Sequence, residues 1–318
     1  MAPPHERAGK AAVIGCGVIG AGWAARLALN GIDVAVFDAD PDVGDRLDAV
    51  IANARRAWES AGWPIARQGA VSVTDCLQGA LVDADVIQES LPERLDLKQR
   101  VLGEISASAR PDALIASSTS GLLPSDMATT MVGPERFLVA HPFNPVYLMP
   151  LVEIVGGEKT VAGTLEKAQA FYAGLGMAPL RVRHEVPGFI ADRLMEALWR
   201  EALHLVNDGH ATAAEIDTAI TEGPGLRWAF IGPFMTYRLG GGKAGMRQFM
   251  QQFGPALNWP WTKLEAPELT DALLERIVAQ SDEQARTYPE GGDPDALERW
   301  RDENIIAILK ARADPARQ

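Results

Sequence analysis

Short apolar runs alternate with longer amphipathic stretches through the first half of the chain. The runs cover residues 10–15, 33–38, 84–89, 113–117 and 137–142. Each is too short for a helix and apolar throughout. This pattern predicts strands of a parallel sheet buried on both faces. The first helix has its periodic core at 23–30 and stops at Gly31. Two further strands, at 151–155 and 178–183, flank a helix at about 163–174 and close this half.

The pattern changes at residues 185–188, beyond which no strand signal occurs. Residues 190–206 read as one long helix. Ile190, Leu194, Leu198 and Ala202 recur beside Met195, Trp199, Leu203 and Val206. So wide an apolar face predicts burial on most sides. Thr212 and Glu215 have capping-box spacing and open another helix, which Gly223-Pro224-Gly225 ends. The tail from Glu290 is rich in Gly, Pro and Asp, then turns into a charged helix. The 318-residue chain is therefore expected to hold two domains. Residues 1–186 form a Rossmann-type α/β domain with a doubly wound parallel sheet, and 187–318 an all-α domain.

Composition narrows the function. With 47% hydrophobic and 23% charged residues, the chain is an ordinary globular one, and it holds no apolar run of about 18 residues to span a membrane. Cys16 and Cys76 are the only cysteines. They make no disulfide framework or metal-ligand spacing, so a cytoplasmic protein without a metal is expected. The formal net charge of −12 argues against nucleic acid or anionic membrane as partners. A cationic or zwitterionic substrate fits that charge, as does a simply solvated acidic surface.

The first candidate chemistry lies where the first strand meets the first helix. Gly15-Cys16-Gly17-Val18-Ile19-Gly20 is G-x-G-x-x-G. Its glycines permit a tight turn and close backbone approach to a pyrophosphate at the helix N-terminus. Asp38 ends the next strand, near the expected spacing of about 20 residues, where a carboxylate accepts the ribose hydroxyls. A 2′-phosphate would meet its negative charge, and Ala39-Asp40-Pro41 supply no arginine to reverse it. NAD is expected rather than NADP.

A second cluster suits hydride transfer from an alcohol. His141 ends a strand in His141-Pro142-Phe143-Asn144-Pro145, where open parallel sheets place their reacting groups. A histidine can take the hydroxyl proton at neutral pH. Glu153 falls mid-strand in the next run. A buried carboxylate there needs a partner, and His141 is the natural one. A core ion pair without chemistry fits the same spacing equally well. Ser120, in Ser117-Ser118-Thr119-Ser120-Gly121, follows another strand and either holds a polar group or caps a turn.

Gly15–Gly20, Ser117–Gly121, His141–Pro145 and Pro187-Gly188-Phe189-Ile190-Ala191-Asp192-Arg193 together resemble the 3-hydroxyacyl-CoA dehydrogenase superfamily over nearly the whole chain. The resemblance implies His141 as base, Glu153 as its partner, and Ser120 and Asn144 flanking the substrate carbonyl and the nicotinamide. It implies cofactor contacts for Glu93 and Lys98 and a homodimer formed through the helical domain. Two departures stand out. Asp192 replaces the family's asparagine, and the stretch between Asp38 and Asp75 is shorter than the helical hairpin that holds a CoA tail. The second half is most similar to members acting on a zwitterionic 3-hydroxy acid with a quaternary ammonium. Such a cation is held by ring faces and carboxylates. Eight tryptophans and the aromatics Phe143, Trp199, Trp228, Phe230, Phe234 and Phe253 offer such faces. Core and dimer packing would also use them. Phe143, Asp192, Trp228 and Phe253 are the candidate substrate residues. The rival readings are a dehydrogenase of the same superfamily acting on acyl-CoA or L-gulonate, and a non-catalytic protein of the lens-crystallin kind.

Overall fold

The computed structural model describes residues 9–313 except 230, 242–244, 264–267, 269 and 288. The chain divides into two compact units, Met1–Arg193 and Leu194–Gln318. In the first, β1 (Lys10–Ile14), α1 (Val18–Leu29), β2 (Asp33–Phe37), α2 (Val43–Ala61) and β3 (Val71–Val73) form the opening β-α-β-α-β run. Then come α3 (Leu77–Leu81), β4 (Val86–Glu89), α4 (Leu95–Ser108), β5 (Leu114–Ser117) and α5 (Pro124–Met127). The unit closes with β6 (Phe137–Pro142), β7 (Leu151–Gly156), α6 (Ala162–Gly174) and β8 (Ala178–Val182).

The strands form one sheet in the order β3-β2-β1-β4-β5-β6-β7-β8. Strand order reverses between β1 and β4, and that crevice is where an open α/β sheet takes its ligand. From β3 to β6 every pairing is parallel, as expected. The expectation of a parallel sheet throughout is corrected at β7, which runs antiparallel to β6 and carries β8 parallel to itself. The link from β6 to β7 is only residues 143–150, too short for the crossover a parallel neighbour needs. One core cluster joins β1, β4, β5 and β6 to α3 and α4 through Ile14, Ile87, Ile115, Val139, Leu81, Leu102 and Ile105.

Helix α7 (Ala191–Asn207) starts in the first unit and runs into the second. The second unit continues with α8 (Ala213–Thr221), α9 (Pro224–Trp228), α10 (Pro233–Gly240), α11 (Gly245–Phe253), α12 (Asp271–Ala285) and α13 (Pro294–Ala313). The Thr212–Glu215 capping box is formed in full. The expected burial of the long helix is corrected. Only Val206 of α7 is buried, while Leu194, Met195, Leu198 and Trp199 are 43–63% exposed. Periodicity identifies the apolar face without saying whether the same chain covers it. Among the described residues no helix is long and apolar enough to cross a membrane.

Candidate active site

The turn from β1 to α1 is shaped by the close approach of its own backbone. Gly15 has φ +87°, and a Cβ there would lie 2.8 Å from the Ser90 carbonyl oxygen. A Cβ on Gly20 would lie 1.9 Å from the Gly15 oxygen. No side chain fits either position. Gly17 is the N-cap of α1 with no side chain capping it, and Gly17 and Val18 are exposed with Ile19 half-buried. The amides at this helix start therefore face outward at the β1/β4 crevice, a cradle suited to a pyrophosphate. Asp38 Oδ2 accepts from the Cys16 amide at 2.5 Å and Oδ1 from the Asp40 amide at 2.8 Å. Asp38 is thus fixed beside the turn, where ribose hydroxyls can reach its remaining lone pairs. These residues fit a dinucleotide.

Sequence reasoning missed Arg46, on the first turns of α2. Its Nε and Nη2 each donate to the Cys16 carbonyl at 3.3 Å, and Nη1 to Asp40 Oδ2 at 2.9 Å. The Arg46 bond holds the Asp40 carboxyl below the ordinary range. Burial first, and then Asp38, pushes the Cys16 thiol up to about 11 against the pull of Arg46. The spacing of Val43, Leu47, Ile51, Ala54 and Trp58, all buried, was the signal for this helix.

Beyond β4 and β5 lies a carboxylate network. Glu93 Oε1 accepts from Thr119 Oγ1 and from the amides of Ser120 at 3.1 Å and Gly121 at 3.3 Å. The loop bearing Ser120 is therefore shaped by Glu93. Ser120 itself is exposed. Lys98 is buried, and its Nζ lies 2.8 Å from Glu89 Oε1, 2.9 Å from the Leu91 carbonyl and 3.6 Å from Glu93 Oε2. Glu89 was also missed. It accepts from Ser117 Oγ at 2.5 Å and the Leu91 amide at 2.6 Å, so it ties the ends of β4 and β5 together. Its sequence signal was an acid closing an apolar strand nine residues before Lys98.

The antiparallel register of β6 and β7 sets His141 directly opposite Glu153. His141 Nδ1 lies 2.9 Å from Glu153 Oε2. Both residues are buried. Glu153 Oε1 accepts from the amides of Ile190 and Ala191, each at 3.0 Å. Burial pushes this carboxyl up, but the bonds from His141, Ala191 and Ile190 outweigh it and hold the pKa below 4.5. An ionised carboxylate only accepts, so Nδ1 carries a proton, and in the neutral ring Nε2 then offers a lone pair. On that side Asp192 Oδ2 lies 3.6 Å from Nε2. Phe143 meets the imidazole edge-on at 4.8 Å between centroids, and Phe189 is tilted at 5.6 Å. Phe189 has φ +48° and Gly188 φ +72°. A Cβ on Gly121 would lie 3.6 Å from the Gly188 amide nitrogen, so the loop of Ser120 abuts the turn that feeds Asp192. Asn144 is exposed on the link to β7. Trp228 and Phe253 belong to the second unit, where Phe253 packs on Phe249 at 5.0 Å. Phe230 lies outside the described residues.

A dinucleotide cradle together with a histidine oriented by a buried carboxylate defines a nicotinamide-dependent oxidoreductase. The family model "3-hydroxyacyl-CoA dehydrogenase, NAD binding domain" matches residues 10–186, and "3-hydroxyacyl-CoA dehydrogenase, C-terminal domain" matches 188–284. The chain belongs to the 3-hydroxyacyl-CoA dehydrogenase family, and NAD is its cofactor. It is similar to the L-carnitine dehydrogenase of Pseudomonas aeruginosa, 56% identical over 94% of this chain and 92% of that one. The L-carnitine dehydrogenase of Oceanobacillus iheyensis is 51% identical over 94% and 97%. Among solved structures, 5-formyl-3-hydroxy-2-methylpyridine 4-carboxylic acid 5-dehydrogenase, an NAD-dependent dismutase, superposes with a TM-score of 0.81. It shares 27% identity over 96% of this chain and 98% of that one.

Proposed function

We propose that this protein oxidises the 3-hydroxyl of L-carnitine to 3-dehydrocarnitine. The observation that carries the reading is the imidazole flanked by two carboxylates, with Glu153 on Nδ1 and Asp192 beyond Nε2. His141 Nε2 takes the hydroxyl proton as general base. Glu153 keeps the ring in the tautomer that can do so and, with Asp192, stabilises the imidazolium formed. Bound NAD supplies the hydride acceptor. Gly15, Gly17, Val18, Ile19, Gly20 and Asp38 would hold it, with Glu93 and Lys98 as further cofactor contacts. Ser120 and Asn144 position the substrate oxygen and the nicotinamide.

Carnitine carries its trimethylammonium one carbon from the carbinol. With the hydroxyl at Nε2, the cation lies on the same side of the imidazole as Asp192, within reach of the field of that carboxylate. That carboxylate and the face of Phe143 suit a cation that cannot donate a hydrogen bond. The sequence argument adds Trp228 and Phe253 as substrate residues. The names of the similar dehydrogenases support the same substrate. The exposed apolar face of α7 supports a homodimer, and two free cysteines support a reducing, cytoplasmic setting. Residues 1–186 and 187–318 serve as the cofactor and the substrate and dimerisation domains. The test is the ratio of kcat/KM for L-carnitine to that for 3-hydroxybutyrate, which lacks the ammonium, and for 3-hydroxybutyryl-CoA. Carnitine should lead both. In Asp192→Asn the KM for carnitine should rise about tenfold, as for one lost interaction of ~1.4 kcal/mol, while the KM for 3-hydroxybutyrate should not rise. A higher specificity constant for either competitor overturns the reading.

A further inference from the structure

The cluster on Cys16 holds more charge than one ribose carboxylate requires. The two polar backbone atoms of Cys16 are occupied by opposite charges. Its amide donates to Asp38 and its carbonyl accepts from Arg46. Arg46 therefore lies beside the carboxylate assigned to the ribose hydroxyls, and the field of Asp38 acts on it. A guanidinium so placed is what a 2′-phosphate would seek, since arginine matches phosphate oxygens in bidentate geometry. Here that guanidinium is already engaged. Asp40 Oδ2 takes its Nη1 at 2.9 Å, and the Asp40 amide is in turn held by Asp38 Oδ1 at 2.8 Å. The Arg46 and Asp40 side chains are 44% and 40% exposed, so solvent and ligand can reach them.

The geometry points to Asp40 as a second determinant of cofactor choice, which keeps Arg46 from accepting the 2′-phosphate of NADP. Counting charges shows why one carboxylate does not suffice. Asp38 and Asp40 against Arg46 leave one net negative charge. Without Asp38 the cluster is neutral, and an uncompensated arginine would remain available if Asp40 were also absent. Asp40 contributes through Arg46, and the inference rests on Asp38 facing the ribose.

The test measures dissociation constants by calorimetry for adenosine 2′,5′-bisphosphate and for 5′-AMP, which differ only in the 2′-phosphate. Asp40→Asn keeps the oxygen that accepts from the Asp42 amide at 3.0 Å, so the turn survives. In an Asp38→Ala background, adding Asp40→Asn should tighten the bisphosphate about tenfold relative to 5′-AMP, the worth of one charge-assisted bond. Adding Arg46→Ala should abolish that gain. Within the Asp38→Ala background, 5′-AMP binding left unchanged by Asp40→Asn controls for an intact cradle. Turnover with NADP against NAD should follow the same order. If Asp40→Asn gives the same gain with Arg46 absent, its charge acts alone and the inference falls. No gain at all overturns it too. If Asp38→Ala fails to change the ratio, the ribose assignment of Asp38 fails. Asp40→Asn in the unsubstituted background then tests the role of Asp40 alone, with the same two overturning results.

Discussion

Glu153→Gln separates orientation of the base from architecture. The glutamine has the same shape but one acceptor oxygen and one donor NH2, and the site offers two arrangements. With the oxygen toward the Ile190 and Ala191 amides, the NH2 faces His141 Nδ1, which must then accept. The imidazole proton moves to Nε2, the atom that takes the substrate proton in the proposed function, and the base is lost. With the oxygen toward Nδ1, the NH2 faces two part-buried amide donors that then lose their acceptor. Each unsatisfied group costs about 1–3 kcal/mol. The first arrangement is therefore favoured by roughly 2–6 kcal/mol, a population ratio of about thirty or more.

Activity and stability should consequently part company. In the analogous serine-protease case, an asparagine that imposes the wrong tautomer lowers kcat about 10⁴-fold. We expect a fall of about 10³–10⁴ in kcat here, read by NADH absorbance at saturating substrate, with KM for NAD unchanged. Stability by urea titration should fall by only about 1–3 kcal/mol, because one charge-assisted bond is lost and no group is orphaned. Glu153 is also depressed below 4.5 by its folded-state partners. Its contribution is complete above that value and is lost as pH falls through the lower, folded pKa. The variant's stability should accordingly respond less to acid. His141→Ala combined with Glu153→Gln should be little worse than His141→Ala alone, since the two act as a unit. Retention of more than about a tenth of wild-type kcat by Glu153→Gln would refute the tautomer argument.

Cys16 is buried with its thiol pushed up to about 11, while Cys76 is exposed. A disulfide reagent at pH 8 should therefore titrate one thiol quickly and the second only on unfolding, and Cys76→Ser should remove the fast phase. The apolar residues exposed along α7 predict a homodimer. Sedimentation at micromolar protein should give twice 34.2 kDa, and a charge at Leu194 or Leu198 should shift it toward monomer. A wild-type monomer at that concentration would contradict the proposal.

Much of this was legible in the chain because it depended on local pattern. Strands β1, β2, β4, β5 and β6 are apolar runs bounded by glycine or polar residues, and their ends fell within two residues of expectation. The G-x-G-x-x-G turn followed from the same logic, since Gly15 and Gly20 sit where a Cβ has no room. The direction of β7 was not legible from its composition, because Leu151–Gly156 is buried like its parallel neighbours. The eight-residue link before it held the information. Arg46 was hidden because a guanidinium eight residues past Asp38 reaches back only once α2 has formed. The exposure of α7 was misjudged because an apolar stripe records that a face is to be covered, whatever covers it.

The start of α7 joins the two halves of the catalytic argument. The amides of Ile190, just before it, and of Ala191, its first residue, converge on Glu153, and Asp192 in its first turn approaches His141 from the other side. Helix N-termini carry partial positive charge, which favours both carboxylates there. The helix therefore grips the imidazole through Nδ1 and through space at Nε2, and replacing asparagine by Asp192 changes charge without changing shape. With the imidazole neutral, the carboxylates of Glu153 and Asp192 flank it on both sides. A neutral or anionic substrate would enter that field at a disadvantage. A substrate with a fixed cation beside its carbinol compensates it, and continues to do so while the proton moves to Nε2. In the proposed function, charge compensation is what makes Asp192, a misfit for acyl-CoA chemistry, suit a quaternary ammonium alcohol.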